Sequence, residues 1–377
     1  MTEANPPLPA SGWRRRLLRH VGPVGIPASG EILSGDQVAA IVEARGEPRL
    51  SILAAGDIML GGRARPLLAE LGEDYPFGGV LPLLRRADVV LGNLEGPFAR
   101  RAPKADRTYS YRVDPRLAGS LARAGIRAVT LANNHLMDCG PEGVVETLEA
   151  LAAVGVKPVG AGLDRAAAHR AAILGSGPLR IGLLGYYWNR RCAASDDAPG
   201  GAMDPPEALH ADIAGLRGRV DRIVVAFHWG VPYEREPSPE DRDKARFAVE
   251  CGADAVIGHH PHVVQPMEVH RGCPIFYSVG NFAFGSGNSR GEGLLVGLRF
   301  EATRTVVEAY PLYVKNRDPR VAYQPKLLRG EAAGRVLGGL VAASGSHGDA
   351  LRIEDDRGVL EIPRIAAHTP DAGGAHA

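Results

Sequence analysis

Leu50-Ser51-Ile52-Leu53-Ala54-Ala55 is a short apolar run that stops at Gly56-Asp57, and repetition of this unit decides the fold. A run of that length bounded by glycine reads as a buried strand. The same form returns four more times. Ala87-Asp88-Val89-Val90-Leu91 halts at Gly92-Asn93, Ile126 to Leu131 at Asn133-Asn134-His135, and Arg222 to Phe227 at His228. Ala255 to Ile257 runs into Gly258-His259-His260-Pro261-His262. Helical spacings lie between the runs. Pro115 to Ala124 stops at Gly125, Pro141 to Val154 opens on proline with Gly155 beyond its end, and Pro239 to Cys251 is a third. Further strands are expected at Arg180–Gly185, Ile275–Val279, Leu294–Phe300 and Thr305–Val314. This alternation predicts an α/β domain of sheets buried under helices.

Outside those bounds the sequence is less regular. Residues 1–48, rich in Pro, Gly and Arg, read as a partly disordered N-terminal arm with one short helix around Gln37–Ala44. Residues 49–315 read as one catalytic-type domain, 316–367 as a C-terminal extension packed on it, and 368–377 as a disordered tail.

The 377 residues are 45% hydrophobic and 23% charged, enough to bury a sizeable core. Lys and Arg number 44 against 43 Asp and Glu, a formal charge of +1 that argues against a nucleic-acid partner. Only five cations are lysine, leaving 39 arginines, an excess that codon bias explains more readily than function. Cys139, Cys192, Cys251 and Cys273 form no CxxC pair, which speaks against a zinc–thiolate site or a disulfide scaffold. No run of about 18 apolar residues offers a membrane span. Arg14-Arg15-Arg16 hints at a twin-arginine export signal, but the apolar stretch after it, Val21 to Ile26, is too short; the expected location is cytoplasmic.

Chemistry gathers where the strands end, as ligands do in sheets of this class. Asp57, Asn93, Glu95, Asn134, His135 and His228 stand at successive ends, and five of the twelve histidines fall in these segments. Each piece alone has a bland reading. Asp57 suits a helix cap or turn, Asn93 and Asn134 suit turns, and His228 beside Trp229 suits a core. His259-His260-Pro261-His262 is sharper, because three imidazoles broken by a proline pack poorly and ligate well. An extended segment would aim His260 and His262 to one side. Imidazole, carboxylate and amide oxygen together suit divalent transition ions of the Mn, Fe, Zn or Co kind.

Gly56-Asp57-Ile58-Met59-Leu60, Gly92-Asn93-Leu94-Glu95, Ala132-Asn133-Asn134-His135-Leu136-Met137-Asp138, His228-Trp229-Gly230, Gly258-His259-His260-Pro261-His262-Val263 and Tyr277-Ser278-Val279-Gly280-Asn281-Phe282 occur in the order of the CapA family. The chain thus resembles the capsule, or poly-γ-glutamate, synthesis proteins related to calcineurin-like metallophosphoesterases, over about residues 50–315. The resemblance implies a four-layer α/β/β/α sandwich with Asp57, Glu95, Asn134, His228, His260 and His262 as metal ligands. It implies His135 as the group that protonates a leaving atom, acting on an anionic small molecule or polymer. Asn93, His259, Asp138, Glu234 and Asn281 are candidates to ligate or to support ligands. Arg63, Arg107 and Arg112 are candidates to clamp an anionic substrate, although solvated surface arginine explains each as well. Two departures stand out. Met59 occupies the histidine position of the wider Asp-x-His pattern, and Pro232 the place of a glutamate common after His-Trp-Gly. Three readings follow from the resemblance: a metal-dependent hydrolase using a metal-activated water on a phosphate ester, a component of poly-γ-glutamate or capsule biosynthesis or degradation acting on an anionic polymer, and, given Met59 and Pro232, a degenerate metal-binding module without turnover.

Overall fold

The computed structural model describes residues 26–106, 109–287 and 289–364. Arg107, the Arg14–Arg16 segment and the tail at 368–377 lie outside the described residues. After α1 (Gly35–Arg45), the strands β1 (Leu50–Met59), β2 (Ala87–Leu94), β3 (Ile126–Thr130) and β4 (Lys157–Val159) lie side by side in parallel. Helices α2 (Ala118–Arg123) and α3 (Gly140–Ala153) carry two of the connections. The chain then builds a second sheet from β5 (Ala172–Ser176), β6 (Leu179–Tyr187), β7 (Arg222–His228), β8 (Ala255–His259), β9 (Met267–His270) and β10 (Cys273–Phe276). Its order is β9-β10-β8-β7-β6-β5, with α4 (Pro206–Ala214) and α5 (Pro239–Cys251) beside it.

From there the chain returns to the first sheet. Strand β11 (Asn281–Phe284) pairs parallel with β1, and β12 (Glu292–Phe300) and β13 (Arg304–Tyr313) add an antiparallel wing. After β14 (Lys326–Leu327) and α6 (Gly330–Ala343), β15 (Arg352–Glu354) and β16 (Arg357–Pro363) complete ten strands, β16 pairing with β13.

Side-chain alternation fixes the layers, since successive residues of a strand face opposite sides. Leu53, Ala55, Val90 and Val129 face α2 and α3 through Leu121, Val144 and Leu151. Their neighbours Ile52, Ala54, Val89, Leu91 and Ala128 face the second sheet at Leu183, Val224, Ala226 and Ile257. On the far side Val225, Phe227 and Val256 meet Leu209 and Ile213 of α4 and Ala245, Ala248 and Val249 of α5. The result is the expected α/β/β/α sandwich. Both faces of the central strands are buried, which is why they read as continuous apolar runs.

The expected helix around Gln37–Ala44 is α1, capped by Ser34, whose side chain accepts from the Gln37 N–H. Val38 and Leu33 are buried, and Leu33 N–H donates to the Leu327 carbonyl at 3.0 Å. No helix among the described residues is long and apolar enough to cross a membrane.

Candidate metal centre

The carboxyl ends of β1, β2, β7 and β8 open onto one point between the two sheets. Strand β1 runs on to Met59, past the expected stop at Gly56, with an irregular register between Ala54 and Asp57. Glycine is required there: a Cβ on Gly56 would lie 2.0 Å from the Gly280 carbonyl oxygen. The bend delivers Asp57, fully buried, between Asn93 and Asn281, its partners on the adjacent strands.

Asn93 donates from Nδ2 to Asp57 Oδ1 at 2.7 Å, and its Oδ1 accepts from Asn133 Nδ2 at 3.1 Å. Both ends of that amide are thus engaged in orienting its neighbours. His262 Nδ1 lies 2.8 Å from Asp57 Oδ2 and 3.0 Å from Asn281 Oδ1. His228 Nε2 lies 2.9 Å from Asn134 Oδ1, and its ring centre is 4.5 Å from that of His260. The 259–262 segment is not extended. His260 and His262 have φ of 97° and 56°, left-handed conformations that cost a side-chain-bearing residue energy. A turn, not strand geometry, brings their rings to 5.8 Å.

Glu95 is the centre's least satisfied group. It is fully buried, and neither carboxylate oxygen has a hydrogen-bond partner among the described residues; His262 Nε2 stands 3.6 Å and His135 Nε2 3.8 Å from Oε1. Both ring nitrogens of His259 and Nδ1 of His260 are likewise buried without a hydrogen bond, although His259 Nδ1 is 3.5 Å from Asp57 Oδ1. Buried polar atoms normally find partners, so a cluster of orphans points to an absent one. Two groupings have donor atoms within 4.8 Å of one another: Asp57, Glu95 and His228, and Glu95, His260 and His262. They share Glu95. The donor set of these groupings fits a divalent cation.

Electrostatics agree with this picture. Burial holds the Glu95 carboxyl well above the usual carboxylate range despite the opposing pull of His262. Burial also works against charge on His262, yet Glu95 and the Asp57 hydrogen bond push it up to about 9. Asp57, against the cost of its burial, is held well below the usual range by the imidazoles of His259 and His262 beside it. Burial, reinforced by neighbouring imidazoles, drives His228 well down and His260 down to about 3, leaving both neutral as metal ligands must be.

Beside the orphaned carboxylate, His135 is tethered through Nδ1 to Asp138 Oδ2 at 2.7 Å, with the Tyr111 ring 4.3 Å from its own. Asp138 also accepts the Tyr111 N–H at 2.6 Å. The remaining candidates lie at the surface. Glu234 is exposed, as are Arg63 and Arg112, and Arg112 turns to the Ala102 carbonyl. Met59 is buried and its sulfur takes the Gly61 N–H at 3.2 Å, so it serves the turn after β1. Asn133 escaped the sequence reading. It ties Asn93 and the Leu94 carbonyl to the His135 N–H, and its place inside Asn-Asn-His was the available signal.

Known proteins resemble this chain in sequence. The profile of the family described as Bacterial capsule synthesis protein PGA_cap matches residues 51–286. The capsule biosynthesis protein CapA of Bacillus anthracis is 30% identical over 296 residues, 75% of this chain and 72% of that protein. The PGA biosynthesis protein CapA of Bacillus subtilis is 33% identical over 246 residues, 64% of this chain and 65% of its own. Among solved structures, a 5′-nucleotidase from Candida albicans aligns at 11% identity and a TM-score of 0.41, covering 68% of this chain and 49% of that one, too slight a likeness to bear on chemistry. By its sequence motifs and the span of the profile match, the chain belongs to the bacterial capsule synthesis family of CapA.

Proposed function

We propose that the chain is a metal-dependent hydrolase acting on an anionic substrate, most simply a phosphate ester. The observation that carries this reading is the pair of buried donor groupings sharing Glu95, whose oxygens lack partners, next to the His135–Asp138 pair. Asp57, Glu95, Asn134, His228, His260 and His262 would hold one or two divalent transition ions, which supply Lewis acidity and an activated water when bound.

The chain's own groups do the rest. Asp57 is fixed by Asn93, and His262 by Asn281, so the donors need little rearrangement to receive a cation. Asp138 holds the His135 ring by Nδ1 and leaves Nε2 facing the centre, placed to give a proton to a leaving oxygen. The names of the two Bacillus relatives favour a second reading, in which the anion is an acidic capsule polymer.

Phosphomonoesters and diesters assayed with added Mn, beside His135→Ala and His260→Ala, test the proposal. Turnover should fall about 10²- to 10⁴-fold in His135→Ala. Unchanged turnover in both variants sinks the site assignment. Protein purified without chelator should carry one or two transition ions per chain, and none would count against the hydrolase. Glutamate released from poly-γ-glutamate would favour the second reading.

A further inference from the structure

A cavity of about 50 Å³, several times the room one water needs, lies away from the metal ligands. Its walls are residues 235–236 after His228-Trp229-Gly230, residues 264–265 beyond His262, the start of β12 at Glu292 and one face of α6. Among the described residues that line it, none is a candidate metal ligand. Val336, Gly339 and Leu340 follow helical spacing and so face it together, and Val264 extends the apolar wall. Gly339 carries no side chain, which leaves the space open.

Gln265 is the observation that points to a ligand. It is 2% exposed, and its Nε2 donates to the Glu234 carbonyl at 3.0 Å. That bond fixes which way the amide points and leaves Oε1 buried with no partner among the described residues. A buried acceptor normally has an N–H or O–H against it. Glu292, also buried, lines the same cavity and is paired with Arg235 Nη2 at 2.6 Å. Glu236 turns instead to Arg242 at 3.2 Å. Exposed Arg335 has Glu31 and Glu331 no nearer than 3.6 Å, beyond hydrogen-bond length. With the Arg235–Glu292 pair cancelling, Arg335 is the cation at the cavity with donors to spare.

We propose that this cavity binds a small carboxylate that carries an N–H or O–H donor beside an apolar body. Apolar amino acids and their α-hydroxy counterparts share that chemistry. The donor meets Gln265 Oε1, the carboxylate meets the Arg335 guanidinium, and the apolar body covers Val264, Val336 and Leu340. Water alone would answer the amide but wet the apolar wall. The site is separate from the metal centre and does not rest on the hydrolase reading.

Titration calorimetry of the full chain, freed of metal with chelator and dialysed, tests the site with L-valine and α-hydroxyisovalerate as probes. At least one probe should bind saturably, and the tighter of the two identifies the donor. Isovalerate lacks the donor and L-valinamide lacks the carboxylate, so each should bind at least about tenfold more weakly than the tighter probe. Arg335→Gln, a change at the surface, and Gly339→Val, which fills the cavity, should weaken that probe by about the same factor. No saturable binding of either probe, or binding unchanged in Arg335→Gln, overturns the site and leaves a water-filled void. Binding as tight by isovalerate and L-valinamide overturns it as well. Ester turnover plays no part in the readout, so this site and the hydrolase reading fail separately.

Discussion

Glu95 is the residue on which the centre turns, because both donor groupings use it and no described residue satisfies it. Glu95→Gln keeps its shape and removes its charge. Metal binding should weaken by at least about a hundredfold, judged against the cost of lesser changes around metal sites. The metal-free variant should nonetheless melt no lower than wild type, since a buried acid without a partner is a liability that an amide lessens. Calorimetry on the metal-free and loaded forms reads both effects, and a large loss of stability in the metal-free variant would contradict the assignment. The upward shift of His262 makes a second prediction. His262 is raised to about 9 and Glu95 is raised as well, so an incoming cation must displace a proton at neutral pH. Affinity should therefore rise from about pH 6 to about pH 8, with proton release visible as buffer-dependent heat. Binding without proton release would remove Glu95 and His262 from the ligand set.

At the scale of elements, glycines decide whether strand ends can meet. A Cβ on Gly258 would fall 1.9 Å from the Tyr277 carbonyl oxygen, which already accepts the Trp229 indole N–H at 2.8 Å. Gly258→Ala should cost about 1–3 kcal/mol in urea unfolding, as overpacking does. Gly334 in α6 has open space around it, so Gly334→Ala should instead stabilise by about 0.4–1 kcal/mol. What the sequence disclosed follows the same division. The central strands were legible because burial on both faces leaves uninterrupted apolar runs, and the ligands because they stand just beyond them. Strand β9, Met267-Glu268-Val269-His270, was missed because it sits at a sheet edge and carries charge that is paired locally, Glu268 with Arg246. Helix α6 was missed because four glycines, at 330, 334, 338 and 339, dilute its helical signal. The left-handed turn at His260 and His262 has no signature in residue type, so the pair was expected in an extended segment.

For the molecule as a whole, β16 covers β13 along Arg304–Ala309, and β13 would otherwise be an edge of the large sheet. Ending the chain after Ala350 should uncover a template for intermolecular pairing, and light scattering should show association that the full chain lacks. The centre itself lies on the seam of the sandwich. Asp57, Asn93 and Glu95 come from one sheet, His228 and the 259–262 segment from the other. Asp57 and His262, now 2.8 Å apart, are 205 residues distant along the chain. Such a pair closes only after both sheets have formed and docked, so the site is absent from early states along the folding route. A cation that recognises it acts as a late rivet: it should slow unfolding while leaving the refolding rate unchanged. The protein would then owe its persistence under stress to the same ion that serves its chemistry, and chelation would shorten its lifetime before any equilibrium measurement registered the loss.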